Sequence, residues 1–222
     1  MNILFLIIEV IISYILLLFV YKKYKEEGIY IWIVILLLIS SFMSIKSIEI
    51  NNVDIALGLG VSSSIYIANN ILLQKKGTEY IKNTTTILFI FSIIFIFLLI
   101  LSSGITISEY NSITSLMYDS IMFSNIKFIL ANIISIIIGL YVNNYVYYEL
   151  RKIKNKLWIS NILSSLIFTF VEVLIFVFIT NFINGSLYVM MTTLVIRYII
   201  KIMILIIGTD IIYIANNFKE RV

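Results

Sequence analysis

The sequence predicts an all-α polytopic membrane protein, one transmembrane domain over residues 1–222 with about seven transmembrane helices. Three observations predict it. Hydrophobic residues make up 61% of the chain and charged residues 13%, more apolar surface than a soluble core can absorb. The apolar stretches are continuous over about 18 residues or more, where barrel strands would alternate over about 10. The cations gather in short segments between those stretches, and only at alternate connections.

The first span, residues 2–20, lacks the basic leader and small-residue cleavage site of a signal peptide, so it reads as an anchor. After YKKYKEEG comes a second span at 29–45 and a third at 55–73. The connection QKKGTEYIK leads to a fourth span at 85–103. The longest loop, 104–125, mixes apolar and polar residues in the manner of a short helix lying at the interface. A fifth span follows at 128–150, then RKIKNK, a sixth at 158–180 and a seventh at 187–207, whose composition allows a continuation to about Phe218.

Twelve of the 16 cations lie in the three cationic connections and the C-terminal tail. The opposite connections carry Lys46 and Lys127, while Arg197 and Lys201 fall inside the seventh span. By the positive-inside rule the N-terminus is outside and the C-terminus cytoplasmic. Seven crossings put every cationic connection on one side; six would not.

The missing residues exclude several chemistries. Without cysteine there are no disulfides and no thiol chemistry; without histidine the usual proton shuttle and commonest metal ligand are gone. No GxxxxGK[ST] loop occurs, so the chain does not hydrolyse nucleotide by itself, and no cofactor or metal is expected. The net charge of +4 does not signal nucleic acid, because the cations flank hydrophobic spans. Without proline, helix breaks fall to glycine or asparagine. The heavy use of Ile, Asn, Lys and Tyr points to an A/T-rich prokaryotic genome, and so to a prokaryotic cell membrane.

Polar residues recur on helical faces, which repeat at spacings of three, four, seven and eleven. In the sixth span Asn161, Ser164, Ser165, Phe168, Thr169 and Glu172 share one side. Asn132, Ser135, Gly139 and Asn143 form a stripe in the fifth span; Ser63, Tyr66, Asn70, Gln74 and Gly77 form one in the third. A lone carboxylate in the bilayer costs on the order of 3 kcal/mol, so Glu172 must be protonated, paired or facing water. At about 1.5 Å per residue, Glu172 lies roughly 21 Å from Trp158 and Arg197 roughly 15 Å from Leu187. In a core about 30 Å thick those depths nearly match. Arg197 is therefore the expected partner, with Lys201 one turn deeper or snorkelling to the headgroups. Glu9 and Asp210 read as interfacial. Ser and Gly stripes also serve close helix packing, but buried charge points to function.

On these residues the chain resembles the VUT, or queuosine-precursor transporter, family from about Ile29 to Tyr213. In LWISNILSSLIFTFVEVLIF, Trp158, Asn161, Ser164, Ser165 and Phe176 stand at matching places. Ile159, Thr169 and Glu172 stand where the family has arginine, glutamine and aspartate. In IIGLYVNNYVYYELRK, Gly139 and Asn143 match, and Leu140 replaces a glutamine. Lys46, Tyr66 and Gly77 match, while Asn70 and Gln74 replace an aspartate and a glutamate. In RYIIKIMILIIGTDIIY, Tyr198, Lys201, Thr209 and Tyr213 match, and Asp210 replaces a proline.

The resemblance implies import of a small polar heterocycle, a 7-deazaguanine precursor of queuosine such as preQ0, preQ1 or queuine. Such a base offers a donor edge that a carboxylate can accept in two parallel hydrogen bonds, which makes Glu172 the leading contact. Asn143, Asn70 and Thr169 would add neutral hydrogen bonds, and Tyr66 or Phe168 could stack on the ring. Arg197, Lys201, Asn161, Ser165 and Gln74 complete the expected substrate-binding set. The expected partners are this small molecule and membrane lipid, with an energising ATPase or a second copy of the chain left open. Facilitated diffusion and proton coupling through Glu172 are also open. Competing readings are a substrate-binding subunit energised by separate ATPase subunits, for which Gly58 and Gly60 could dock a partner helix, and a non-transport membrane scaffold. An enzyme is not expected, because clustered acids or a His or Cys nucleophile system are missing.

Overall fold

The computed structural model describes residues 2–50, 53–103, 112–153, 156–181 and 186–218. Among these, five helices account for nearly all of the structure: α1 (Asn2–Met43), α2 (Leu59–Ser103), α3 (Ser112–Ile153), α4 (Leu157–Asn181) and α5 (Leu187–Asn216). Each contains a stretch long and apolar enough to cross a bilayer. Two short strands, β1 (Ser47–Ile50) and β2 (Val53–Ala56), join α1 to α2.

Two of the helices fold back on themselves. In α2 the break is Gly77, at φ 80° and ψ −176°. A Cβ there would meet nothing within 4 Å, so the position needs glycine for its backbone freedom and not for space. Asn69 Nδ2 donates to Asn144 Oδ1 at 2.6 Å, and Asn144 Nδ2 donates to Thr85 Oγ1 at 3.2 Å. In a straight helix Asn69 and Thr85 would lie about 24 Å apart. One side chain can reach both only because the limbs 59–76 and 78–103 run antiparallel.

In α1 the break is Lys25, at φ 54° and ψ −140°. Absence of proline suggested that glycine or asparagine would make every break; here a lysine does, at a cost of about 1–2 kcal/mol for a non-glycine residue in this region. Ile12 and Ile39 line one cavity although a straight helix would separate them by about 40 Å. The two α1 limbs therefore pack side by side.

Three expectations are corrected here. The third span does not begin at Ile55. Residues 47–50 and 53–56 pair as antiparallel strands, with Ser47 opposite Ala56 and Glu49 opposite Asp54. Ile48, Ile50, Val53 and Ile55 alternate with polar residues at period two, a strand pattern concealed between two apolar runs. The fifth span is the later part of α3, which begins at Ser112. The interfacial segment is thus a continuous extension of that helix, although 104–111 lie outside the described residues, as do Lys154, Lys219 and Arg221. Ser102 Oγ and Tyr118 Oη share a hydrogen bond at 2.9 Å that ties this extension to the end of α2.

Glu9, expected at the interface, caps α2 instead. Its Oε1 accepts from the backbone N–H of Gly60 at 3.0 Å and of Val61 at 3.1 Å, satisfying orphan donors at a helix start. A Cβ on Gly60 would lie 2.8 Å from Val10 Cγ2, and one on Gly58 3.0 Å from Ser40 O. Both glycines are used in packing within the chain, not in a surface for a partner helix.

The first limb of α2 is the hub. Ile65, Tyr66, Ile67, Ala68, Asn69 and Asn70 are all buried against α1, α3 and α5. The first limb of α1 and the second limb of α2 instead expose Phe5, Ile12, Phe19, Phe89, Phe97 and Leu101. An apolar coat of that extent fits lipid.

Candidate functional site

The α4 stripe turns inward as its spacing requires. Asn161, Ser164, Ser165, Phe168, Thr169, Glu172 and Phe176 are buried, while Leu166, Ile167, Phe170, Leu174 and Phe178 are exposed. On α5 the buried side carries Thr193, Arg197, Lys201 and Thr209. The two helices run antiparallel, with Phe176 beside Arg197, Glu172 beside Lys201 and Asn161 beside Thr209.

The asparagines form a relay with one link per helix. Asn143 Nδ2 of α3 donates to Asn70 Oδ1 of α2; Asn70 Nδ2 donates to Asn161 Oδ1 of α4; Asn161 Nδ2 donates to Thr209 Oγ1 of α5. Each bond is 2.7 Å long. Thr209 Oγ1 closes the chain on Leu205 O at 3.3 Å. Four helices are thereby locked in register, with carboxamides that can donate and accept at once. The sequence stripes pointed to these residues; their mutual engagement is what the structure adds.

The expected ion pair is corrected. Glu172 bonds Lys201 Nζ through Oε1, both side chains fully buried, and Arg197 forms no ion pair with it. Helix geometry explains the difference. Cα–Cβ bonds tilt toward the helix N-terminus. In two antiparallel helices Glu172 therefore leans toward the Trp158 end and Lys201 leans to meet it. Arg197 tilts the same way as Lys201 but starts one turn nearer the Leu187 end, so its side chain is carried past the acid and its guanidinium lies over the Phe176 ring at 3.7 Å from the centroid.

Next to the pair lies an aromatic stack. Tyr66 and Phe168 have centroids 4.2 Å apart at 28°, and Lys201 Nζ lies 5.4 Å from the Tyr66 ring. Tyr66 Oη donates to Ile136 O at 3.3 Å. This approach depends on Gly139, since a Cβ there would run into Tyr66 Oη and lie 3.2 Å from Glu172 Cβ.

Around this cluster six buried polar atoms have no hydrogen-bond partner: Ser165 Oγ, Thr169 Oγ1, Glu172 Oε2, Asn143 Oδ1, and Arg197 Nε and Nη1. Leaving such a group unpaired costs about 1–3 kcal/mol, so helix packing alone does not account for their concentration here.

A cavity reaches this cluster from the end where α4 stops and α5 starts. Its wall includes Ser44, Asp54, Lys127, Thr180, Thr192 and Thr193, and it ends at Phe176 and Arg197. Glu172, Lys201, Thr169 and Ser165 lie beyond that floor, packed among the helices.

Gln74 is not brought to the cluster. It donates to Tyr147 Oη and accepts from Asn216 Nδ2 at 2.9 Å, near the Gly77 turn. Phe176 and Thr193 were missed as site residues. Phe176 stands one turn beyond Glu172 on the same face, and Thr193 one turn before Arg197, so helical spacing was the available signal.

The family model described as "Putative vitamin uptake transporter" matches residues 56–215, well over half of the chain. The match takes in both limbs of α2 and α3 to α5, all the elements that build the cluster. Neither a curated protein nor a solved structure matches.

Proposed function

The chain belongs to the vitamin uptake transporter family, a multi-pass membrane family with a small-molecule cargo, and from that premise we propose that it imports a planar polar heterocycle, a 7-deazaguanine precursor of queuosine, across a prokaryotic cell membrane. The two folded-back helices supply four crossings and α3, α4 and α5 three more, giving seven. The cationic connections face the cytoplasm. The N-terminus and the cavity mouth then face outward, where an importer must collect its cargo.

One observation carries this reading: six unsatisfied buried polar atoms beside an aromatic stack. Ser165 and Thr169 hydroxyls and the Asn143 carbonyl can each bond an edge of a heterocycle. Glu172 keeps Oε2 for a donor edge while Oε1 holds Lys201, so Lys201 fixes the acid's orientation. A flat ring has Tyr66 and Phe168 to stack on. Such a pocket rejects analogues that leave its polar atoms unpaired. Cargo passes from the outer cavity to this row when the Phe176–Arg197 stack yields, a small motion within the range of ordinary gating.

The test is uptake in cells unable to make the base themselves. Expression of the chain should restore the modified base in tRNA when the precursor is supplied outside. Thr169→Leu should weaken restoration about ten-fold or more at normal protein abundance, by removing one polar contact and filling its space. No restoration with the protein present in the membrane would overturn the proposed cargo.

A further inference from the structure

Arg197 raises a question that the pairing of Glu172 leaves open. Its side chain is 1% exposed, its Nε and Nη1 have no partner, and it forms the inner end of the outer cavity. Arginine does not lose its proton in a protein, so burial cannot be relieved by deprotonation. The effective desolvation cost of a buried ion is several kcal/mol. The face of Phe176 offsets only part of that cost. Something else must compensate the charge.

Counting formal charge around the cluster gives one answer. Glu172 is a single acid facing two bases, Lys201 and Arg197, and it is bonded to the lysine. The cavity wall adds Asp54 and Lys127, which cancel. Asp54 is exposed on β2 and makes no ion pair with Arg197, and Lys127 Nζ is turned to Thr180 O at 3.4 Å. In α2, Asn70 is neutral and bonded to Asn143 and Asn161, and Gln74 is neutral and bonded to Tyr147 and Asn216, so neither adds negative charge. The innermost part of the route is therefore one positive charge in excess, and that charge is an arginine with open N–H groups.

We propose that the cargo is an anion, and that Arg197 is the residue that binds its carboxylate or equivalent acidic group at the cavity floor. This rests on the 7-deazaguanine reading given above and narrows it to a precursor that carries an acidic group, in place of the neutral nitrile and the amines. A guanidinium donates charge-assisted hydrogen bonds to a carboxylate. Thr192, Thr193 and Thr180 on the wall leave the approach polar without adding negative charge. A cationic cargo would enter against Lys127 and Arg197 and find its one acid already held by Lys201.

The experiment uses the purified full chain in lipid nanodiscs and two ligand sets. The first contains 7-deazaguanines that differ only at position 7, as carboxylate, nitrile or aminomethyl. The second contains pyridine-3-carboxylate and its amide. The expected order is carboxylate tightest, nitrile about ten-fold weaker and aminomethyl weaker again, as loss of one charge-assisted contact predicts. In Arg197→Gln the carboxylate should lose this advantage while nitrile binding persists. Equal binding of all three deazaguanines, or tightest binding of the aminomethyl form, overturns the anion proposal and leaves the heterocycle reading standing. Binding of the pyridine carboxylate over its amide, with no deazaguanine bound, keeps the anion proposal and overturns the 7-deazaguanine reading. If Arg197→Gln does not accumulate, the wild-type series decides by itself, and Arg197→Lys tests whether charge alone suffices.

Discussion

At the scale of single residues, the Glu172–Lys201 pair does two things that can be separated. It cancels two charges that neither helix could carry alone in an apolar interior, and it leaves Oε2 of the acid free. Removing one partner of a buried pair costs about 3–5 kcal/mol, because the other is left uncompensated, whereas replacing both with apolar groups is often neutral. Glu172→Gln and Lys201→Met should each lower abundance and thermal midpoint, and the double variant should recover both. Uptake should stay low in the double variant, because the free oxygen that addresses cargo is gone. Recovery of uptake together with abundance would reduce Glu172 to a structural half-pair. The identity of the partner was beyond the sequence. Rise per residue gives the depth of a Cα, but the pairing was decided by which way each side chain leans, and that follows from the antiparallel contact of α4 and α5.

At the scale of elements, the inward faces were legible because a helix repeats on its own spacing: the six stripe residues from Asn161 to Glu172 are all buried. The strand pair at 47–50 and 53–56 was not, because its four apolar residues merged with the runs on either side. The start of α3 was hidden for the opposite reason, since its first turns are mixed in polarity and carry no apolar stripe. The two fold-back points can be tested by substitution. Gly77 has a positive φ and empty space around its missing Cβ, so Gly77→Ala should cost about 1 kcal/mol through backbone conformation alone. Lys25→Gly should act in the opposite direction by up to about 1 kcal/mol, because glycine relaxes a φ of 54° that lysine holds under strain. Thermal midpoints in detergent report both, and a neutral Gly77→Ala would contradict the sharp reversal at that point.

At the scale of the whole molecule, the relay through Asn143, Asn70, Asn161 and Thr209 joins α3, α2, α4 and α5 at one level, two to three helical turns from the Glu172–Lys201 pair along α4 and α5. The cavity opens at the opposite end of the bundle and stops at Phe176 and Arg197, short of this lock. In the proposed orientation the cationic connections, at the end away from the cavity, face the cytoplasm. Single cysteines are an unambiguous probe in a chain that contains none. Thr192→Cys, on the cavity wall, should react with a membrane-impermeant thiol reagent added to intact cells, and bound cargo should slow that reaction. Lys152→Cys, exposed at the end of α3, should react only after the cells are opened. The reverse pattern would place the cavity on the cytoplasmic face and overturn the proposed orientation, while equal labelling of both from outside would overturn the proposed count of seven crossings.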